Sequence, residues 1–436
     1  MDQHIQNIFE NVIEYCKKNY NFQFNPNNPV VRLHEPTFGA EEINALIAQL
    51  MSTNVTMGPR VKQFEENYCT KFGHKYGVSN NSGSSANLLA VAALTNPAFK
   101  DHLRPGDEVI VPALSWSTTV WPIIQCGLIP VFVDCDINTF NLDLNKLEQA
   151  ITPKTRAIKL VHVYGNPCHM DEIMALARKH NLFIIEDSCE SMGATYKGKY
   201  VGTFGDIGTF SFYYSHHITT LEGGISVTNN FELAELMRVL RAHGWTRQID
   251  EREKYEQMHA DIDPRFIFIN LGYNLRLTEI QAAMGIEQFK KFDDLIAVRK
   301  NNAKILRREL EELSDLFSFQ NITAESESTW FGFSLILKEK AKFTKNELGK
   351  YLHAQNIENR PIIAGNMSKH PALQMYEHKI GSTLENSNNI MDNGIAVGCH
   401  HAMNEEACLY ITNHIKQFVK EHANHTSNLE MSAANV

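Results

Sequence analysis

Residues 211 to 224 read SFYYSHHITTLEGG: an aromatic, strand-like run that stops on His216 and His217, then two threonines, an acid and two glycines. Imidazole changes charge near neutral pH, so an adjacent pair can ligate a metal, fill a core or move protons. A zinc site needs third and fourth ligands at workable spacing, and neither Cys189 nor the GCHH stretch at 398–401 supplies it. No metal site is expected. Two other stretches carry chemistry-bearing residues. In NNSGSSANLLAVAAL, residues 80–94, Gly83, Ser84 and Ser85 open a strongly helical run. Free backbone N–H groups and a positive helix end suit a phosphate there, although a serine cap without ligand gives the same pattern. In NLFIIEDSCESMGA, residues 181–194, an apolar run closes on Glu186 and Asp187, with Glu190 three residues further on. A carboxylate at a buried strand end calls for a cationic or hydrogen-bonding partner, and a solvated loop acid is the plain alternative.

The elements that must position these residues follow from the period of the apolar residues. Short β-rich runs at 107–114, 128–134, 157–163, 182–187, 208–214 and 223–228 alternate with helical patterns such as DEIMALARKHN and NKLEQAI. Such alternation predicts βαβ wiring and a largely parallel sheet covered on both faces, with ligands at the carboxyl ends of strands. From about residue 232 the chain turns mainly helical, through the long stretch TEIQAAMGIEQFKKFDDLIAVRKNNAKILRREL. A smaller α/β unit follows, with WFGFSLILK as a strand and TKNELGKYLHAQN as a helix. The segment 421–436 is polar, rich in small residues and unpatterned, and reads as a disordered tail.

Composition narrows the partners. The 436 residues, 43% apolar and 21% charged, are those of a globular protein with a sizeable core. A formal charge of −9 without a basic run argues against nucleic acid and against an anionic membrane surface, which leaves a small-molecule ligand. The first ten residues lack a secretory apolar segment, and no run approaches the roughly 20 apolar residues of a membrane span, so the cytoplasm is expected. The eight cysteines are scattered, without a CxxC pair, and read as buried thiols.

Taken in order, TMGPRVKQFEENY, NSGSSANL, VPALSWSTT, GLIPVFVD, IIEDSCESMGATYKGKYVGTFGDIGTFSF, EGG, RAHGWTR and GYNLRLTEIQAAMGIEQ resemble the pyridoxal-phosphate (PLP) nucleotide-sugar aminotransferases of the aspartate-aminotransferase fold. The resemblance implies an α/β chain of PLP fold type I: a helical extension over 1–30 and a large domain over 31–290 with a mostly parallel seven-stranded sheet between helices. A smaller C-terminal α/β domain would occupy 291–420, with a tail over 421–436. It implies further that Gly83, Ser84 and Ser211 hold the cofactor phosphate, that Trp116 stacks on the pyridine ring and that Asp187 pairs with the ring nitrogen. Asn274 would reach the phosphate of a neighbouring subunit, which implies a homodimer with shared active sites.

One position departs from that pattern. Where these aminotransferases carry a lysine five residues after the serine, this chain carries His216, and no lysine occurs from Val201 to Glu253. In this the sequence resembles the lysine-less 4-keto-6-deoxysugar 3-dehydratases, which also read HHI followed by EGG. That resemblance implies non-covalent PLP, alternating with its pyridoxamine form (PMP), and His216 as the catalytic base. Glu190 would lie near the cofactor hydroxyl, and His217 would orient the site or pack. The implied reaction takes nitrogen from L-glutamate and removes the C3 hydroxyl of a nucleotide-linked 4-keto-6-deoxyhexose, releasing 2-oxoglutarate, ammonia and a 4-keto-3,6-dideoxy sugar. With no cysteine between Cys189 and Cys399, the iron–sulfur cluster of the ascarylose-type enzymes is not expected, and the self-contained colitose-type route is favoured. An ordinary aminotransferase, a reductase-dependent CDP-sugar dehydrase and a non-catalytic binding protein stand as alternatives.

Overall fold

A computed structural model describes residues 3–433, with side chains through His422. In chain order the first nine strands are β1 (Tyr76–Asn80), β2 (Glu108–Pro112), β3 (Ile129–Val133), β4 (Thr155–Val161), β5 (Phe183–Asp187), β6 (Thr195–Tyr196), β7 (Lys199–Tyr200), β8 (Ile207–Ser211) and β9 (Gly224–Thr228). The remaining six are β10 (Phe317–Phe319), β11 (Ser326–Glu327), β12 (Phe333–Leu337), β13 (Asn359–Arg360), β14 (Lys379–Ile380) and β15 (Gly394–Val397).

The large sheet has the order β1-β9-β8-β5-β4-β2-β3-β14. Only β9 runs antiparallel to its neighbours, β1 and β8; the pairs from β8 through β14 are parallel. This is the expected sheet with one addition: an eighth, two-residue strand, β14, joins at the β3 edge. Strand β1, YGVSN, carries too little apolar character to stand out in the sequence. Its burial comes from pairing with β9 over five residues. Every residue of β2, β3, β8 and β9 is buried, because helices cover both faces, and two-sided covering is why these strands do not alternate apolar and charged residues.

The second sheet, β10-β12-β15-β13, is antiparallel throughout and encloses its own core of Phe317, Phe333, Leu335, Leu348, Leu352 and Ile411. One helix, Glu279–Leu310, connects the two sheets, and it starts on a capping box in which Thr278 and Gln281 satisfy each other's backbone N–H groups. It crosses residue 290 without a break. The last helix, Glu405–Ala433, continues through most of 421–436, where the sequence pattern gives no element. Extending a formed helix costs far less than nucleating one, so the Ala, Leu, Glu and Met of that stretch suffice once Glu405–His422 is helical. Residues 434–436 lie outside the described residues. No helix among the described residues is long and apolar enough to cross a membrane.

Candidate active site

A cleft of about 520 Å³ opens at the carboxyl ends of the large-sheet strands, and Gly83, Ser84, Trp116, Asp187, Glu190, Ser211 and His216 all line it. The opposite wall comes from the C-terminal part of the chain, through Phe331, Arg360, Pro361 and Ile363.

The first wall is a helix end. Ser82 caps the helix Gly83–Thr95, its hydroxyl accepting from Ser85 N at 3.0 Å, while first-turn N–H groups have no partner inside a helix. Gly83 is needed here for closeness. A Cβ on it would lie 2.5 Å from Ser211 Cβ, so only glycine brings this helix end against the end of β8. Backbone donors, the Ser84 and Ser211 hydroxyls and the positive helix end then converge on one place, which is the donor set of a phosphate site.

The second wall is acidic. Glu186 and Asp187 are adjacent in β5, so their side chains leave on opposite faces. Glu186 turns away from the cleft and is satisfied by the protein: it accepts from Gly202 N (2.6 Å), Phe204 N (2.7 Å), Gly205 N (2.6 Å) and His162 Nε2 (3.2 Å). Asp187 faces the cleft. Its Oδ2 accepts from the Thr119 hydroxyl at 2.7 Å and its Oδ1 from Cys189 N at 3.3 Å. Trp116, at the cap of the helix Ser117–Gln125, stays 56% exposed, an open aromatic face beside that carboxylate.

The third wall carries the histidine. The excursion between β8 and β9 is closed at its base, with Phe212 N donating to Gly223 O (2.8 Å) and Thr220 N to Phe212 O (3.0 Å). Thr220 is buried and shapes this turn, its hydroxyl donating to Glu222 O at 2.8 Å, whereas Glu222 itself lines the cleft. His216 sits at the crest, its ring centroid 5.0 Å from that of Phe331. Its Nδ1 lies 2.8 Å from Cys189 O. A carbonyl can only accept, so Nδ1 carries the proton and Nε2 of the neutral ring is left with a lone pair. Burial, with the cations Arg360 and Arg299 adding to it, pushes the His216 pKa down to about 4, so the ring is neutral at physiological pH. His217 points into the interior, where burial holds it well below the usual histidine range. His400 and His401 face the backbone carbonyls of Arg32 and Pro36 at 3.0 Å each, and so pin the N-terminal segment.

Glu190 accepts from Tyr164 N at 3.0 Å, and burial raises its pKa to about 7. Among the described residues, no lysine lines the cleft. Asn274 stands outside it, exposed, its Oδ1 accepting from Arg276 Nε at 3.0 Å. Sequence reasoning missed Arg360, Phe331 and Thr119. Arg360 is half-buried against Phe331, 5.5 Å from its ring centroid, and makes no carboxylate ion pair among the described residues. Phe331 is held by Arg299, which is buried in the long helix and donates to Phe331 O (3.3 Å), Trp330 O (3.2 Å) and Cys399 O (2.7 Å). Nothing in the local sequence marks an arginine 144 residues after His216 as its neighbour.

The residues fit PLP. A phosphate cradle that a Cβ would fill, an open aromatic face, a buried carboxylate for a protonated ring nitrogen and an acid beside it line one cleft. Residues 36–416 match the DegT/DnrJ/EryC1/StrS aminotransferase family. The chain is 42% identical over 372 residues to GDP-4-keto-6-deoxy-D-mannose 3-dehydratase of Escherichia coli O55:H7 (strain CB9615 / EPEC), an alignment spanning 84% of this chain and 95% of that one. Among solved structures, the E. coli GDP-4-keto-6-deoxy-D-mannose-3-dehydratase with bound hydrated PLP superposes with a TM-score of 0.83 at 40% identity, covering 88% of this chain and 98% of that one. A GDP-4-keto-6-deoxymannose-3-dehydratase with a trapped PLP-glutamate geminal diamine has a TM-score of 0.83 at 39% identity, covering 88% and 99%.

Proposed function

From the premise that this chain belongs to the DegT/DnrJ/EryC1/StrS aminotransferase family, we propose that it is a PLP-dependent 3-dehydratase of a nucleotide-linked 4-keto-6-deoxyhexose, with L-glutamate as amino donor. The observation that carries this reading is the neutral imidazole of His216 in a cleft that no lysine lines. The similarity to the GDP-4-keto-6-deoxy-D-mannose 3-dehydratases supports GDP as the nucleotide. The trapped glutamate adduct in one of them supports the donor.

When bound, PLP supplies an electron sink that accepts an amino group and stabilises negative charge at the adjoining carbon. Gly83, Ser84 and Ser211 would hold its phosphate, Trp116 would cover the ring and Asp187 would keep the ring nitrogen protonated. His216 accepts a proton at Nε2 while Cys189 O fixes the ring through Nδ1. With an imidazole in place of an amine, this base moves protons and forms no covalent link to the cofactor. Glu190, raised to about 7 by burial, could exchange a proton with a bound cofactor from its place in the cleft lining. Arg360, which makes no close carboxylate ion pair among the described residues, receives a carboxylate of glutamate. Overall, glutamate gives two electrons and its nitrogen, the sugar loses its C3 oxygen, and 2-oxoglutarate and ammonia leave.

The same reading includes a homodimer. Leu271 is 90% exposed and Phe266 and Phe268 are 55% exposed on the segment that carries Asn274, an apolar surface that suits burial against a second copy bringing Asn274 to its neighbour's phosphate site. Borohydride treatment of the PLP-loaded protein followed by intact-mass measurement tests the assignment. The protein mass is expected to stay unmodified, and a covalent phosphopyridoxyl adduct would return the chain to the ordinary aminotransferases.

A further inference from the structure

Strand β4 reads TRAIKLV, and the lysine within it stands in a sheet covered on both faces. Lys159 is fully buried. An ammonium in such a place is costly unless it meets opposite charge and acceptors. Its Nζ donates to Asn87 Oδ1 at 2.5 Å and to Thr119 O at 2.9 Å, and lies 3.8 Å from Asp187 Oδ2. These partners come from three different elements around the cofactor site. Asn87 belongs to the helix that begins at Gly83, and its Nδ2 donates to Gly83 O at 3.3 Å. Thr119 belongs to the helix behind Trp116, and its hydroxyl holds Asp187 Oδ2. Asp187 ends the neighbouring strand, β5. All three line the cleft, and Lys159 does not.

We propose that Lys159 is a positioning residue of the cofactor site, a buried ammonium that holds the Asp187 carboxylate in place and ties it to the Gly83 turn. The proposal rests on the reading of the cleft as a PLP site. The 3.8 Å between Lys159 Nζ and Asp187 Oδ2 sets a buried cation directly behind the carboxylate that faces the cleft. Burial draws Lys159 down to about 8, which leaves it an ammonium at neutral pH. Without it, the Asp187 carboxylate would lose its buried counter-charge, and Asn87 and Thr119 would lose the group that joins them.

The test is equilibrium dialysis of PLP against full-length protein for wild type, Lys159→Met, Asp187→Asn and the double variant, with inorganic phosphate as competitor. Lys159→Met is expected to weaken PLP at least tenfold, to leave phosphate competition within about twofold of wild type, and to add nothing in the Asp187→Asn background, because residues acting through one group are non-additive. Lys159→Gln removes the charge while keeping an amide donor, one bond shorter, toward Asn87 and Thr119, so it is expected to fold and to show the same loss. Wild-type PLP affinity in both variants, additive losses, or an equal weakening of phosphate would overturn the proposal. So would failure of both variants to fold, read from thermal unfolding without cofactor, since Lys159 would then serve stability alone. A wild-type protein that binds no PLP would overturn the functional reading instead, a distinguishable result.

Discussion

His216→Gln removes the imidazole Nε2 lone pair from the cleft lining while keeping a polar side chain of similar reach. The loss in rate follows from the geometry. His216 Nδ1 is committed to Cys189 O at 2.8 Å and the ring is backed by Phe331, so the proton-transfer function rests on Nε2 alone. A positioned general base contributes about 10²- to 10⁴-fold, or about 3–5.5 kcal/mol of barrier. The loss is expected toward the upper end, since no other imidazole lines the cleft. Folding should suffer little: one hydrogen bond of about 1 kcal/mol is at stake. The assay is sugar dehydration at saturating glutamate, alongside PLP binding, which is expected to stay within a few-fold of wild type. Because the His216 pKa lies at about 4, the base form persists through the neutral range, and the acid limb of wild-type kcat/KM attributable to it should fall well below pH 6.5. A variant within threefold of wild-type kcat would refute the assignment of His216 as the base.

Arg360→Gln is expected to raise the KM for glutamate about ten- to a hundredfold, the worth of a hydrogen bond to a charged group, with PLP affinity retained; an unchanged KM would place the donor carboxylate elsewhere. Glu190→Gln should abolish an inflection near pH 7 in kcat/KM, because burial puts that carboxyl at about 7; its persistence would assign the titration to another group. Acid should weaken the fold. Burial lowers the pKa of His34 to about 2, of His400 to about 3, and of His74 and His401 to about 4, so the folded chain binds fewer protons than the unfolded one between those values and 6.5. Stability is then complete above about pH 6.5 and lost as pH falls toward 4, while Glu190, raised to about 7, works the opposite way and is outnumbered. Thermal unfolding of the cofactor-free protein should fall steadily from pH 7 to pH 5, and a flat profile would contradict the burial of these rings.

The positions of β2 to β5, β8 and β9 were legible because two-sided burial writes continuous apolar runs bounded by turns. Seven of the residues singled out at strand and helix ends line one cleft for the same reason: in an open parallel sheet the carboxyl ends of the strands share one edge. What the sequence hides is what folding brings from afar. Arg360 and Phe331 reach the cleft through the second sheet, so no local spacing marks them. Glu186 and Asp187 look equivalent in FIIED, yet strand alternation gives one to the backbone of residues 202–205 and the other to the cleft. Lys159 did leave a trace, a charged residue inside an apolar strand, whose meaning depends on partners 72 and 28 residues away at Asn87 and Asp187. β1 and the two-residue β14 escaped notice because their order comes from pairing with neighbours rather than from their own composition.

The central claim is that a base without an amine turns a sugar aminotransferase scaffold into a dehydratase. Its most direct measurement is the ratio of ammonia to 2-oxoglutarate released by the wild-type protein with PLP, L-glutamate and GDP-4-keto-6-deoxymannose. Equal release of both over many turnovers, with no amino sugar formed, is the predicted result. 2-Oxoglutarate accumulating with an equal amount of amino sugar and no ammonia would contradict it.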